Sequence, residues 1–324
     1  MAEFVHLHNH SDFSLLDGAA SVTSMVDKAK ALGMPGLALT DHGNMFGAVK
    51  FYDYCKEKGV NPIVGSEFYV AGTSRLERTG TESGNKYFHL VLLAENQEGF
   101  RNLLKLSSAS WTEGYYYKPR IDDEILARHS KGIIASSACL AGEIPRLLSV
   151  GKEAEAEKKA RWFRELFGRE RFYLELQDHG IAEQAKVNKL LVGMSRKLDI
   201  PLIATNDMHY LERDDAEAHD VLLCIGTNKK LAEAGRMRFP GREFYMKDGA
   251  EMAALFAEVP EALANTLRVN EMVALDMAYP GPLLPDYVIP EGFSSPAEYL
   301  KHLTYKGLEA RYPGLTEEIR QRAE

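Results

Sequence analysis

The sequence predicts an α/β protein in which strands and helices alternate along the chain. Short apolar runs rich in β-branched residues are separated by amphipathic helical patterns, and a helix between two strands is the connection that parallel strands require. The hydrophobic content of 45% over 324 residues provides for a sizeable core. This alternation fits both a closed barrel of the TIM type and a doubly wound open sheet, and it does not choose between them.

The element pattern predicts seven strands and the helices between them. The predicted strands are residues 4–8, 36–40, 62–70, 86–94, 132–138, 171–176 and 201–205. The predicted helices are residues 21–32, 44–58, 96–110, 152–167 and 183–198. Glycines directly after the first two helices are typical helix stops.

The rhythm changes to helices after about residue 210, and a segment dense in proline and glycine follows at residues 279–295. Such composition favours a domain boundary, so we expect a main domain at residues 1–285 and a second region at residues 286–324. The chain ends on a charged helical pattern without a capping signal. We therefore expect it to be part of a longer protein.

Charge and cysteine content restrict the possible function classes. A net charge of −8 gives no general attraction for polyanions, so a simple DNA-binding module is excluded and any nucleic-acid contact requires a local basic patch or metal ions. Three cysteines without framework spacing suit a reducing compartment. With no secretory signal and no apolar run long enough to span a membrane, the expected location is the cytoplasm, with no membrane partner.

Histidines recur at every second position near the N-terminus, at His6, His8 and His10. On a strand these side chains would share one face, where imidazole nitrogens can meet at one metal ion. For a single histidine, a surface or hydrogen-bonded core position is the more common role. The rest of the chain must therefore decide.

Further metal-binding side chains occur at or near the ends of the other predicted strands. Together with the first histidines they form the set His8, His10, Asp17, His42, Glu67, His89, Cys139, Asp207 and His209. Imidazole, carboxylate and thiolate ligands suit Zn²⁺ and also Mn²⁺ or Fe²⁺, and nine ligands are too many for one tetrahedral ion. Two or three closely spaced ions would activate a shared water and hold phosphoryl oxygens, so the predicted reaction is phosphoester hydrolysis.

Several individual roles stay open at this stage. His6 suits a core or supporting role better than direct ligation, and Asp41 suits the orientation of a neighbouring imidazole. Cys139 could instead be an inert buried thiol. His179 could contact substrate or stabilise a loop, whereas Cys55 and Cys224 lie in helical runs that favour structural roles.

A tyrosine-rich segment at residues 113–122, EGYYYKPRID, offers substrate contacts through Lys118 and Arg120. Aromatic rings interleaved with basic groups can stack unpaired bases and pair with phosphates. Alternatively the tyrosines pack a loop and Arg120 pairs with Asp122 or Asp123.

The motifs HLHNHSDFSLLDG, LTDHGNMFGAVKFY, PIVGSEFYV, YFHLVLLA, GYYYKPRID, SACLAGEIP, ATNDMHY and EALANT give the chain a family resemblance. It resembles, over essentially its whole length, the N-terminal polymerase-and-histidinol-phosphatase (PHP) domain of bacterial DNA polymerase III alpha subunits. The resemblance implies a distorted seven-stranded (β/α)7 TIM-like barrel with a short C-terminal helical extension. It also implies a trinuclear metal centre, which in some members is a 3′→5′ proofreading exonuclease and in others a scaffold without all its ligands.

The family's nine ligand positions fall on the nine residues of the set above, with none substituted. The resemblance implies one ion at His8, His10, Glu67 and Asp207, a second at Glu67, His89 and Cys139, and a third at Asp17, His42 and His209. Zn or Mn are the expected metals, with Fe or Mg as alternatives. Catalysis would depend on Glu67, Asp207 and His10 through a metal-bound hydroxide.

The resemblance also implies partners. These are the 3′ ends of single-stranded or frayed DNA, the remaining domains of the polymerase alpha subunit, and other replisome subunits such as the sliding clamp. Residues 286–324 resemble the start of the polymerase palm, but the nucleotidyl-transfer aspartates would lie beyond Glu324, so this chain is not expected to polymerise DNA. The alternative functions are a metal-stabilised scaffold domain and a small-molecule phosphatase of the histidinol-phosphatase kind.

Overall fold

A curled seven-stranded sheet organises the larger part of the chain in this computed structural model. The structure describes residues 3–79, 87–277 and 281–324. The chain divides into two units, Met1–Met277 and Ala278–Glu324, and the sheet belongs to the first. The strands are β1 Gly36–Leu39, β2 Asn61–Ala71, β3 Tyr87–Ala94, β4 Arg120–Ile121, β5 Ile133–Ser136, β6 Phe172–Leu176 and β7 Leu202–Ala204.

Helices accompany this sheet, and the five with predicted bounds agree with them to within about four residues at each end. Those of the first unit are α1 Val22–Ala31, α2 Ala48–Lys58, α3 Gln97–Thr112, α4 Asp123–Arg128, α5 Glu143–Ser149, α6 Glu153–Phe167, α7 Ala182–Leu198, α8 Ala216–Thr227, α9 Gly249–Leu255 and α10 Glu261–Met272. The short elements β4, α4 and α5 escaped prediction because two to seven residues carry too little periodicity to be recognised.

The sheet is mixed, so the expectation of uniformly parallel strands is wrong for β3. Its strand order is β1-β2-β3-β5-β6-β7, with β4 beside β2. Strand β3 runs antiparallel to both β2 and β5, whereas the pairs β1–β2, β5–β6 and β6–β7 are parallel. Antiparallel neighbours need no crossover helix, and no helix occurs between β2 and β3 among the residues described there.

An extended N-terminal segment, residues 4–10, joins the two ends of this strand order. The sequence predicted a strand there, but the segment is irregular. On one side the amide of Ala38 donates to the carbonyl of His6 at 2.9 Å; on the other the amide of His10 donates to the carbonyl of Met208 at 2.8 Å. These bonds close the curled sheet into a distorted TIM-like barrel.

The second unit consists of an extended segment and two helices, α11 Pro296–Arg311 and α12 Glu317–Ala323. Ser295 caps α11 and Thr316 caps α12. No residue of either helix is buried. The division after Met277 lies slightly before the predicted boundary at residue 285, and the assignment of this region to a polymerase palm stays a prediction.

No helix in the described residues has both the length and the apolar character needed to cross a lipid bilayer.

Close packing of α3 against the loop before β5 gives a test of the fold. A Cβ added at Gly99 would lie 1.7 Å from the carbonyl oxygen of Gly132, so Gly99→Ala must push the helix away from the sheet. We expect the free energy of unfolding to fall by about 1–3 kcal/mol, measured by denaturant titration. Gly193→Ala in α7 is the matched control: nothing lies within 4 Å of its added Cβ, and we expect about 0.5–1 kcal/mol of stabilisation. Equal effects from both substitutions would contradict this packing.

Candidate metal centre

The carboxylate of Glu67 lies at the middle of a cluster of four imidazoles. Glu67 is on β2, is only 1% exposed, and forms an isolated bridge with His42 just after β1. Its Oε1 lies 2.9 Å from His89 Nδ1 and 3.3 Å from His8 Nε2, and its Oε2 lies 2.8 Å from His42 Nδ1 and 3.6 Å from His10 Nε2. One side chain therefore contacts four imidazoles from three separate parts of the barrel: the N-terminal segment, the chain after β1, and β3.

Asp207, which follows β7, contacts His8 and His10. Its Oδ1 is 3.1 Å from His10 Nε2 and 3.4 Å from His8 Nε2. The ring of His209 lies 4.4 Å from that of His10, and His10 in turn stacks on His42 at 4.0 Å between ring centroids. These contacts place the ends of β1 and β7 and the N-terminal segment around one point.

Asp17 and Cys139 complete the cluster at its edges. Asp17 Oδ2 lies 3.1 Å from His42 Nε2, and Cys139 Sγ lies 3.7 Å from His89 Nδ1 and 3.8 Å from Glu67 Oε1. All nine residues of the predicted set therefore form one connected cluster. Three groups of side chains have ligand atoms within 4.8 Å of one another: His8, His10 and Asp207; His10, His42 and His209; and His42, Glu67 and His89. Asp17 and Cys139 belong to none of these three groups.

The hydrogen bonding of the cluster fits divalent cations. Six of its buried nitrogen and oxygen atoms have no hydrogen-bond partner: His8 Nε2, His10 Nε2, Asp17 Oδ1, His42 Nδ1, Glu67 Oε2 and Asp207 Oδ1. A nitrogen or oxygen of another member faces each of the five atoms other than Asp17 Oδ1. Buried polar atoms normally have partners, since leaving one unpaired costs free energy. Lone pairs that converge without a shared proton are the arrangement that metal ions satisfy.

The charge states of Glu67 and His10 agree with ligation. Burial raises the pKa of the Glu67 carboxyl, but His89, His8 and His42 outweigh it and hold that pKa well below its usual range. Burial, with His42 and His209 nearby, lowers the pKa of His10 to about 3, so this imidazole is neutral at pH 7. A neutral imidazole and an ionised carboxylate are the forms that bind metal. Burial lowers the pKa of His8 and His42, but neighbouring carboxylates outweigh it and raise the pKa of both, so each would have to lose a proton to bind a metal ion.

Glu175 on β6 supports the cluster, and the sequence-based prediction missed it. Its Oε1 lies 2.7 Å from His8 Nδ1, the nitrogen that faces away from Glu67. It also accepts hydrogen bonds from Ser136, Thr205 and Gln177. A carboxylate that holds the far nitrogen of a ligating histidine fixes the tautomer and the ring orientation. The available signal was a glutamate inside the apolar strand FYLEL, where a buried carboxylate needs a specific partner.

Asp41 was expected to orient a neighbouring imidazole, and it does so indirectly, through a serine. Its carboxylate accepts hydrogen bonds from the Ser11 amide at 2.7 Å, the Ser11 hydroxyl at 2.8 Å and the Ser14 hydroxyl at 2.7 Å. Ser14 Oγ then lies 3.1 Å from His10 Nδ1 and accepts from the His42 amide at 3.1 Å. Asp41 therefore positions the two histidines through a serine.

His219 and His6 differ in their relation to the centre. His219, on α8, is not one of the nine residues of the set, yet its Nε2 lies 2.8 Å from the carbonyl oxygen of Asp17. His6 has the expected core role: it is buried, its Nε2 bonds the Lys247 carbonyl at 2.9 Å, and burial lowers its pKa to about 4.

Left-handed backbone occurs beside several of these side chains. Asp207 has φ 43°, and Leu16 and Ala138, which directly precede Asp17 and Cys139, have φ 70° and 57°. Non-glycine residues seldom adopt this conformation, and it is concentrated at functional sites. The turns at the edge of the barrel are therefore shaped to direct these side chains inward at a conformational cost.

Arg120 does not have the predicted role in substrate contact. It is 3% exposed, and its guanidinium donates to the carbonyls of Gly114, Arg75 and Glu77. The alternative pairing with Asp122 is also wrong, because Arg75 occupies that carboxylate. A buried guanidinium that holds three carbonyls stabilises its loops and is not available to a phosphate.

His179 is likewise committed to the interior, so the structure does not support its predicted contact with substrate. Its Nε2 lies 2.9 Å from the Asn206 carbonyl oxygen, its Nδ1 lies 2.8 Å from Gln184 Nε2, and its ring stacks on Phe244 at 3.9 Å. Lys118 differs from both: it is only half-buried, and its amine lies 5.3 Å from the centre of the Tyr69 ring, beside the cluster.

Comparison with known proteins gives relatives over nearly the whole chain. DNA polymerase III subunit alpha of Treponema pallidum is 50% identical over 321 residues, which cover 99% of this chain and 27% of that protein. The protein of the same name from Borreliella burgdorferi is 49% identical over 323 residues, 99% of this chain and 28% of that protein. The chain spans about a quarter of the length of these relatives.

The matches among solved structures are more distant. An amidohydrolase from Chromobacterium violaceum matches with a TM-score of 0.38 and 16% identity, over 63% of this chain and 87% of that one. A two-domain protein from Bacteroides vulgatus containing a predicted PHP-like metal-dependent phosphoesterase matches with a TM-score of 0.36 and 13% identity, over 64% and 52%. The family model of the PHP domain matches residues 6–179, which is more than half of the chain. The chain therefore belongs to the PHP domain family.

Proposed function

We propose that the cluster around Glu67 holds two or three divalent metal ions and hydrolyses phosphodiester bonds at the 3′ ends of single-stranded DNA. The observation that carries the proposal is the convergence of nine nitrogen, oxygen and sulfur side chains with unpartnered buried ligand atoms. DNA is the proposed substrate because the relatives are DNA polymerase subunits. In that setting, 3′→5′ hydrolysis would remove misincorporated nucleotides.

The proposed ligands divide into three groups, and Glu67 belongs to two of them. His8, His10, Glu67 and Asp207 form the first group, Glu67, His89 and Cys139 the second, and Asp17, His42 and His209 the third. Glu67 can serve the first two groups because its Oε1 faces His89 and its Oε2 faces His10. When bound, divalent ions such as Zn²⁺ or Mn²⁺ supply activated water and neutralise phosphoryl oxygens, with Fe²⁺ and Mg²⁺ as alternatives.

The exposure of the cluster defines the side from which a phosphate can arrive. The side chains of His8 and His10 are fully buried, whereas those of Asp17, His42 and His89 are 24%, 16% and 15% exposed. A phosphodiester would therefore meet the cluster at its Asp17, His42 and His89 side. A single strand can enter such a recess more readily than a duplex, whose end must first fray.

The remaining proposals concern the protein in its cellular setting. The other domains of the polymerase alpha subunit, and replisome subunits such as the sliding clamp, are the proposed partners in the cytoplasm. Residues 286–324, within the unit Ala278–Glu324, would be the start of the palm. This chain by itself would not transfer nucleotides.

Metal content tests the shared centre. Elemental analysis of the purified chain, after reconstitution with Zn²⁺ or Mn²⁺, should return more than one divalent ion per molecule, because nine ligands exceed the needs of one ion. Glu67→Gln should lose more metal than Cys139→Ala, since only Glu67 contacts several histidines. One ion or none in the parent chain, or equal losses in the two variants, would refute the shared centre.

Glu175→Gln tests the support of His8. The amide keeps the shape of the side chain but removes the negative charge that holds His8 Nδ1. We expect metal affinity, measured by competition with a chelator, to fall about 10- to 100-fold while the fold persists. Glu95→Gln is the control, because Glu95 pairs with Arg171 and is none of the residues of the cluster. An unchanged affinity in Glu175→Gln would show that Glu175 has only a packing role.

Digestion of DNA tests the reaction. A 5′-labelled single strand should give a descending ladder that chelator stops, and duplex ends should be shortened more slowly. Asp207→Asn and His10→Ala should each abolish the ladder. His129→Ala should leave it intact, because His129 is a half-buried histidine at the end of α4 and is not a member of the cluster. Circular dichroism of each variant checks that the barrel remains folded.

The alternative functions predict other results in the same experiments. Rapid hydrolysis of histidinol phosphate without any ladder would establish a small-molecule phosphatase. A metal-loaded chain that hydrolyses neither substrate would establish a metal-stabilised scaffold.

A further inference from the structure

Three exposed aromatic rings form a continuous surface on the first unit. Trp111 at the end of α3 stacks on Tyr115 with ring centroids 5.5 Å apart and an angle of 16°, and the ring of Phe46 is tilted against Trp111 with centroids 6.2 Å apart. Phe46, Trp111 and Tyr115 are 61%, 43% and 48% exposed. Aromatic side chains are normally buried, so three adjoining exposed rings indicate a binding surface. We call Phe46, Trp111 and Tyr115 the aromatic surface.

The aromatic surface is attached directly to the loop that carries His42. Trp111 Nε1 donates a hydrogen bond of 2.9 Å to the carbonyl of Gly43, the residue after His42. Gly43 has φ 60°, and a Cβ at this position would lie 2.7 Å from Pro119 and 3.0 Å from Tyr69. The loop from α3 to β4 therefore packs against Gly43 without room for a side chain. The aromatic surface lies beside the accessible side of the metal centre as a result.

Two lysines border this region. The amine of Lys118 lies 5.3 Å from the centre of the Tyr69 ring, and that ring lies 5.2 Å from His89 and 6.0 Å from His42. Lys50 on α2, one turn after Phe46, has its amine 6.0 Å from the Phe13 ring. Both positive charges lie where they can attract phosphates, although the chain as a whole is acidic.

We propose, on the basis of the function proposed above, that the aromatic surface binds an unpaired base of the DNA strand whose phosphate enters the metal centre. Exposed aromatic rings next to basic groups match the pattern of single-strand binding, in which bases stack on aromatic side chains and lysines pair with phosphates. Stacking accepts every base, as an enzyme acting on any sequence requires. A paired base has no free face, so the aromatic surface also selects single strands.

The experiment measures binding separately from cleavage. The probe is a labelled oligothymidylate with phosphorothioate linkages at its 3′ end, which slow cleavage, and affinity is measured by fluorescence anisotropy with the metal-loaded chain. Trp111→Ala and Phe46→Ala should each weaken binding roughly five- to a hundredfold. Trp111→Phe, which keeps a ring, should restore most of the affinity. Val150→Ala is the control, because Val150 is 64% exposed and belongs to neither site.

An abasic oligonucleotide of the same length identifies what is bound. It retains the phosphates, so it should bind the parent chain weakly, and Trp111→Ala should not weaken it further. The proposal is overturned if Trp111→Ala and Phe46→Ala leave oligothymidylate affinity unchanged, as they would if the rings served a protein partner. It is also overturned if these variants weaken both oligonucleotides equally, because only phosphates would then be recognised.

The same variants separate this inference from the proposed function. With a cleavable strand, Trp111→Ala should raise KM while kcat changes little, since the ring contacts a base and not the scissile phosphate. If the chain shortens DNA and Trp111→Ala leaves KM unchanged, the proposed function stands and the proposed role of the aromatic surface is refuted. If the chain binds oligothymidylate through these rings but does not shorten a cleavable strand, the role of the aromatic surface stands and the proposed nuclease activity is refuted.

Discussion

A buried carboxylate surrounded by imidazoles imposes the main constraint on this structure. Glu67 is almost wholly removed from solvent and faces four histidines, and a buried charge of this kind is tolerated only with close compensating partners. Those partners come from the N-terminal segment, the end of β1 and the start of β3. The barrel must therefore bring several chain segments to one edge, and the networks of Glu175 and Asp41 then hold the rings in place.

The reversed direction of β3 is part of this arrangement. In parallel strands the functional residues follow the carboxyl ends, but His89 is only the third residue of β3. Because β3 runs antiparallel to its neighbours, its first residues lie at the same edge of the barrel where the other strands end. His89 pairs in register with Tyr69 and reaches Glu67 from that edge.

The sequence predicted the members of the cluster more accurately than it predicted the roles of the residues around them. Alternation on the N-terminal segment and positions on or after the predicted strands indicated the nine clustered side chains, because strand ends converge in any such fold. The sequence did not reveal the direction of β3. The segment between β2 and β3 has no helical pattern, and the sequence alone does not show whether such a segment reverses the chain or crosses over to a parallel strand. The predictions for Arg120 and His179 were wrong for another reason. A basic residue in a polar segment is normally expected at the surface, and only tertiary packing shows that both side chains are buried. The role of Glu175 was not predicted because a single carboxylate within a strand forms no repeating pattern in the sequence.

The line along which the barrel closes also has a thermodynamic consequence. The N-terminal segment that joins β1 to the chain after β7 carries His8 and His10, and Asp207 lies across from them on the other side of the junction. A ligand held between these side chains would link the two ends of the sheet, so its binding free energy would be added to the stability of the closed form. Barrel closure and site assembly would then be a single cooperative event, and removal of the first ten residues would abolish both together.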